Sequence, residues 1–220
     1  MILAAALAAP AVAQPVAGAQ KVGLADIAGW WLPVAGAGPR PAVIGLHGCS
    51  GLQLRAELNA RERAMAELLR DQGYHVLLPE PCTAPPAEHG PRNAERRADI
   101  HGALDWLAAR PEVDRARIVV LGWSHGGSAV LAALQHRIGP MPLQARAAVA
   151  FHPGCSPYAR TQGSYLPVAP LLILVGAPDE RTPAAPCLEL AKWTPKVMVR
   201  VLPESGHAAA MFDFLERELR

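Results

Sequence analysis

The stretch Ile118-Val119-Val120-Leu121-Gly122-Trp123-Ser124-His125-Gly126-Gly127 decides how this chain folds. A β-branched apolar run led in by Arg117 meets a Gly-x-Ser-x-Gly pentapeptide, and a run of small residues continues to Leu134. That order reads as strand, sharp turn and helix. Glycine two residues either side of the serine lets the turn press against strand and helix where a β-carbon would clash. Such a turn exposes the Ser124 oxygen at the carboxyl end of its strand and aims the helix N-terminus at whatever reacts there. Five loosely defined residues recur by chance, so the weight of the reading comes from the strand and helix that flank them.

Outward from this turn the chain alternates apolar runs with helical patterns. Parallel strands are expected at 41–46, 74–79, 117–122, 145–151, 170–175 and 197–202. Helices are expected at 54–71, 94–110, 126–137, 184–193 and 208–219. The strands are near-continuous apolar runs, as required when both faces of a sheet are covered. The fold class is therefore α/β, a mostly parallel, doubly wound sheet between two layers of helices. Arg110-Pro111 closes one helix, because proline restricts its predecessor and supplies no amide proton, and Gly73 caps another. Residues 21–34, with Ile27, Trp30 and Trp31, read as an antiparallel edge. Residues 80–93, proline-rich and holding Glu88, His89 and Arg92, read as a loop, as do residues 156–168.

A length of 220 residues fits a single domain, here 20–220. The net charge of +2 and dispersed arginines argue against nucleic-acid binding. Residues 1–13 form an alanine-rich apolar stretch ending in Ala11-Val12-Ala13, which resembles a secretory signal peptide lacking its basic start. Ala17-Gly18-Ala19 is a second cleavage site that would extend it to residue 19. The run is too short for a membrane span. A periplasmic or secreted bacterial protein is expected, with an alanine-rich tail on a cytoplasmic protein as the alternative. Four cysteines, Cys49, Cys82, Cys155 and Cys187, show no C-x-x-C spacing. An even number in an exported chain points to disulfides, of which three pairings are possible.

Ligands of an open parallel sheet lie outside the carboxyl ends of its strands, so the residues just after each strand carry the chemistry. Here they are His47-Gly48-Cys49-Ser50-Gly51, then Ser124, then Gly176-Ala177-Pro178-Asp179, then Gly206-His207. Ser124 needs a base to act as a nucleophile, and His207, on a turn after the last strand, supplies it. Asp179 orients the imidazole and stabilises its charged form, with Glu180 and Asp213 as competing acids. The amides of His125 and of Cys49 or Ser50, with Cys49 preferred, are placed to bind an oxyanion. His152 ends a strand and could line the pocket. His75, His101 and His136 read as packing or surface residues. No H-E-x-x-H or other metal-spaced cluster occurs, so a metal hydrolase is not expected.

With these pieces placed, residues 40–215 resemble the dienelactone hydrolase-like branch of the α/β-hydrolases. The carrying segments are Pro41 to Gly51, Asp99 to Trp106, Ile118 to Gly127, Phe151-His-Pro-Gly-Cys155, Leu172 to Asp179 with Thr182-Pro183, and Gly206-His207. The resemblance implies hydrolysis of an ester or lactone through an acyl-enzyme, without a cofactor. Two positions depart from it. The family's namesake is known for a cysteine nucleophile and a glutamate in the oxyanion loop, where this chain has Ser124 and Gly48. The pattern is that of a general serine esterase, with dienelactone itself an unexpected substrate.

The same fold places Cys49 and Cys82 after neighbouring strands and Cys155 and Cys187 on either side of the Asp179 loop, implying Cys49–Cys82 and Cys155–Cys187 disulfides. The expected partner is a small ester or lactone, with no stable membrane insertion; oligomeric state is not legible. A peptidase or thioesterase on the same fold is the rival within the enzyme class, and a polymer or cell-wall esterase a narrower version. A catalytically silent hydrolase fold used for binding is the rival from outside it.

Overall fold

The computed structural model describes residues 16–24, 27–48, 53–54, 57–80, 93–135, 145–160, 163–176 and 183–220. The proposed leader at 1–13, the loop core at 81–92, Cys49 and Cys82 lie outside them. The chain begins with an antiparallel hairpin, β1 (Gln20–Leu24) and β2 (Ile27–Leu32), and then enters the parallel part at β3 (Arg40–Leu46). Two short strands, β4 (Gln53–Leu54) and β5 (Glu57–Leu58), precede α1 (Ala60–Asp71) and β6 (His75–Glu80). There follow α2 (Asn93–Ala108), β7 (Val113–Trp123), α3 (His125–Leu134), β8 (Ala147–Phe151) and the short α4 (Ser156–Ala159). The chain closes with β9 (Leu171–Val175), α5 (Ala184–Lys192), β10 (Val197–Val201) and α6 (Glu204–Glu218).

Eight strands form one sheet in the order β1-β2-β6-β3-β7-β8-β9-β10, parallel from β6 to β10. The expected doubly wound sheet and its antiparallel edge are both present. Side chains alternate across it with the two-residue period of a strand. Ile118 and Val120 of β7 join Ile44, Ala148 and Ile173 in a core under α2, α3 and α5, while Val119, Leu121 and Trp123 join Val43, Val149 and Leu174 under α1 and α6. Both faces are thus sealed, and α3 is buried along most of its length. A helix wedged between sheet and α2 must be apolar and small all round, which explains its alanine run.

Several expectations shift at element ends. Helix α1 begins at Ala60 instead of 54, because Asn59 caps it, its side chain accepting from the Glu62 amide at 3.3 Å, and the preceding residues pair as β4 and β5. Helix α6 starts at Glu204 instead of 208, directly after Pro203, so His207 lies in its first turn and not on a free loop. Residues 156–159 form α4 where only loop was expected. Gly73 adopts φ +84 at the end of α1, as its capping role requires.

Cys155 and Cys187 form a disulfide with Cα atoms 5.1 Å apart, tying the segment after β8 to α5. It closes a loop of 32 residues. Cys155→Ser is expected to lower stability by roughly 3 to 4 kcal/mol on the chain-entropy view. Urea unfolding of the wild type with and without reductant, alongside the variant, checks this: reduction should reproduce the variant's loss and add nothing to it.

Candidate active site

Ser124 sits between β7 and α3 with φ 50 and ψ −113, a conformation non-glycine residues rarely hold. Its surroundings impose it. The Ser124 amide donates to the Phe151 carbonyl at 2.8 Å, and its carbonyl accepts from the Ser128 amide at 2.9 Å, the first turn of α3. A β-carbon on Gly122 would collide with the Gly126 backbone, and one on Gly126 with the Leu46 and His47 carbonyl oxygens. The glycine pair is therefore a condition for β7, α3 and the end of β3 to meet. Ser128 extends the arrangement: its hydroxyl donates to the Ser124 carbonyl at 3.3 Å and accepts from the Gly154 amide at 2.9 Å. That bond links the serine turn to the segment braced by the disulfide.

The loop leaving β3 lies against this turn. A point where Gly48 would carry a β-carbon is 3.5 Å from Ser124 Cβ and 3.9 Å from Arg61 Nη2. Glycine at this position leaves open the space next to Ser124. Arg61 also lies over the Trp123 ring at 5.9 Å and pairs with Glu62 at 3.3 Å. His47 is 8 % exposed. Burial first, and then the positive charge of Arg96, hold its pKa down at about 4, so it is neutral at physiological pH. His125, next to the serine, opens α3.

His207 reaches the same sheet edge from α6 and is 5 % exposed. Its ring lies 5.3 Å from that of His152 and 6.0 Å from that of Phe151, whose carbonyl holds the Ser124 amide. Its Nε2 donates to the Leu202 carbonyl at 3.1 Å. Among the described residues no hydrogen bond joins His207 to the Ser124 hydroxyl. His152 is itself in a left-handed conformation, φ 49, and its Nδ1 accepts from the Gly176 amide at 3.5 Å, at the mouth of the segment expected to carry the acid. Asp179, Glu180, Cys49 and Ser50 lie outside the described residues. Asp213, the other competing acid, is exposed on α6, six residues beyond His207.

His75 is a packing residue, as expected: its Nδ1 accepts from the Val34 amide at 3.0 Å and its Nε2 donates to the Glu112 carbonyl at 3.1 Å. Among the described residues no cluster of metal-ligating side chains occurs, and no helix is long and apolar enough to cross a membrane. A cleft of about 600 Å³ lined by Asp114, Arg117, Arg146 and Arg220 opens where β7 and β8 begin, at the opposite end of the sheet from Ser124. Sequence reasoning missed Arg61 and Arg96. For Arg96 a signal existed, since it falls in register with the buried Ile100, Ala103 and Leu107 of α2, where a charge has no place unless it is paired.

A parallel sheet of this order, whose central strand ends in a glycine-flanked serine at positive φ followed at once by a helix, defines an α/β-hydrolase. The profile of the dienelactone hydrolase family matches residues 86–213, and the chain belongs to that family. Over 199 residues it is 30% identical to an uncharacterized protein of Mycobacterium tuberculosis, a match covering 82% of this chain and 68% of the relative. Among solved structures it is similar to Est1E from Butyrivibrio proteoclasticus, at TM-score 0.67 and 17% identity, covering 92% of this chain and 99% of that one. Thermogutta terrifontis esterase 2, phosphoramylated by tabun, is similar at TM-score 0.65 and 18% identity over 92% and 93% of the two chains. At such identities these structures speak for the fold.

Two outcomes follow from the geometry. Gly126→Ala should prevent the close approach at the serine turn, giving protein that fails to fold or loses several kcal/mol by the scale of large steric disruptions, read by circular dichroism and urea unfolding. His47 binds its proton more weakly when folded than when unfolded, so its contribution to stability is whole above pH 6.5 and is lost as pH falls toward 4. The linked loss is on the order of 3 kcal/mol. Urea midpoints between pH 7 and pH 4 should fall less steeply for His47→Gln than for the wild type.

Proposed function

We propose that this protein is a serine hydrolase of carboxylic esters or lactones, acting through an acyl-enzyme. The observation that carries the reading is Ser124 itself. It is exposed at the carboxyl end of the central strand, held at positive φ by its amide bond to Phe151 O, with the amino end of α3 directly behind it. Nothing in packing requires a non-glycine residue in that conformation, and the strain belongs with reactivity. A structure of similar fold supports the reading: Thermogutta terrifontis esterase 2 is phosphorylated by paraoxon.

Ser124 Oγ attacks the ester carbonyl while His207 takes its proton, and the proton then passes to the leaving alcohol oxygen. Water, deprotonated by the same imidazole, cleaves the acyl-enzyme and restores the serine. Asp179 orients His207, and the amides of Cys49 and His125 bind the carbonyl oxygen as it gains charge. In the conformation described, His207 Nε2 carries a proton donated to Leu202 O. Catalysis therefore needs the ring to leave that carbonyl and present an unprotonated Nε2 to Ser124. Catalytic hydrogen bonds commonly tighten only with substrate bound.

The reading includes export after removal of residues 1–13. Val16 packs under α1 and Arg70 donates to the Ala17 carbonyl at 2.7 Å, so a cut after Ala13 preserves this contact while one after Ala19 removes it. The Cys155–Cys187 disulfide accords with an oxidising compartment.

Hydrolysis of p-nitrophenyl acetate and butyrate, set beside acyl-CoA and peptide anilides, tests the substrate class. Ser124→Ala, His207→Ala and Asp179→Asn should each reduce kcat by about 10³-fold or more, and combining them should add little, because the three act as a unit. A fluorophosphonate should label Ser124 in the wild type and fail to do so at a comparable rate in His207→Ala. Folded wild-type protein that neither labels nor turns over any ester would overturn the proposal in favour of a binding role.

A further inference from the structure

Arg96 is 1 % exposed, and a guanidinium is almost never so deeply buried unless its donors are met. Two of its contacts are with the loop that leaves β3. Nη2 donates to the His47 carbonyl at 3.0 Å, and Nη1 lies 3.2 Å from His47 Nε2. A guanidinium offers donors only, so His47 Nε2 must receive with its lone pair. The proton then sits on Nδ1, which donates to the Gly48 carbonyl at 2.7 Å. Three hydrogen bonds therefore fix two consecutive carbonyls and one tautomer of a neutral ring. Protonating the ring would set an N–H against the Arg96 donor and break the set.

Resting on the serine-hydrolase reading above, we propose that Arg96 and His47 are positioning residues: they set the peptide plane that leaves Gly48, and through it the oxyanion-binding amide of the loop. In a planar trans peptide the carbonyl and the following N–H point in opposite directions. Holding Gly48 O against the His47 ring therefore restricts rotation of the peptide plane that leaves Gly48. The peptide is at the right place for this to matter, since a β-carbon on Gly48 would stand 3.5 Å from Ser124 Cβ. Glycine alone would leave the plane free to rotate; the Arg96-His47 pair removes that freedom. A donor displaced by about 1 Å can forfeit on the order of a hundredfold in rate.

The alternative is that Arg96 only ties α2 to the sheet, and the two roles differ in what they move. Misplaced oxyanion donors lower kcat at constant KM and weaken binding of a trifluoromethyl ketone, whose adduct with serine bears the same oxyanion. A structural tie lowers the melting temperature and leaves the kinetics of the folded fraction alone. Arg96→Met is expected to cut kcat about 10²-fold, the scale of a lost oxyanion donor, with KM within about twofold and the ketone's Ki raised in proportion. Arg96→Lys, which keeps a single donor nitrogen in place of the guanidinium fork, should recover part of both losses and covers the case in which Arg96→Met does not fold. Independently of turnover, 15N-histidine spectra of the wild type should show His47 neutral with its proton on Nδ1, and Arg96→Lys should perturb that state.

Wild-type enzyme that hydrolyses esters, with folded Arg96→Lys and Arg96→Met unchanged in kcat and ketone affinity, overturns the positioning role and leaves the serine reading standing. So does a loss confined to KM or to melting temperature. A wild-type protein inert to esters and to fluorophosphonate overturns the serine reading itself, while the histidine spectra still report whether the Arg96-His47 contact exists.

Discussion

The close approach of three backbones at Ser124 is the constraint from which the rest of this structure follows. The end of β7, the start of α3 and the end of β3 meet at distances that leave no room for a side chain on Gly122 or Gly126. Because they meet, Ser124 is forced to positive φ, α3 is pressed so tightly onto the sheet that its inner surface must be small, and the loop after β3 runs beside the serine turn. One steric condition thus links the conformation of a candidate nucleophile, the composition of a helix and the position of the loop expected to face it. Relaxing it at either glycine would separate all three.

Around that point the structure invests polar bonds where a parallel sheet ordinarily has few. Ser128 joins the serine turn to Gly154, the disulfide joins the same segment to α5, and Arg96 joins α2 to the loop after β3. Each bond fixes a segment at the carboxyl edge to a neighbouring element. This suits acyl transfer, in which the groups that meet the developing charge must already be in place, since reorganising them during the reaction would consume the stabilisation they provide. His207 is the exception. Its ring is parked on Leu202 O, beside His152, and the proposed chemistry requires it to move.

Much of this was legible in the sequence because it rests on local rules. Six near-continuous apolar runs separated by helical patterns imply parallel strands covered on both faces, and the six strands appear in place. Gly-x-Ser-x-Gly between such a strand and a small-residue helix implies the turn that is found. Pro111 and Gly73 mark helix ends through φ restriction and a left-handed cap, and they do so here. The start of α6 was misplaced because Glu204-Ser205-Gly206 reads as turn, while Pro203 in front of it begins a helix that packing of Met211 and Phe214 stabilises. The start of α1 was misplaced because the Asn59 cap is a weaker signal than the helical pattern running through it.

The sequence by itself determined the sheet, the turn that carries Ser124, and the order Ser124, Asp179, His207 along the chain, since periodicity, glycine spacing and succession are properties of neighbours in sequence. Only the tertiary structure decided which groups share a site. That His47 is neutral, that its ring donates to Gly48 O while accepting from Arg96, and that His207 lies against His152 and Leu202 depend on residues far apart in the chain. The physical reason is that a buried charge or an imidazole tautomer is set by the nearest donors and acceptors in space, and no local pattern records which distant helix will supply them.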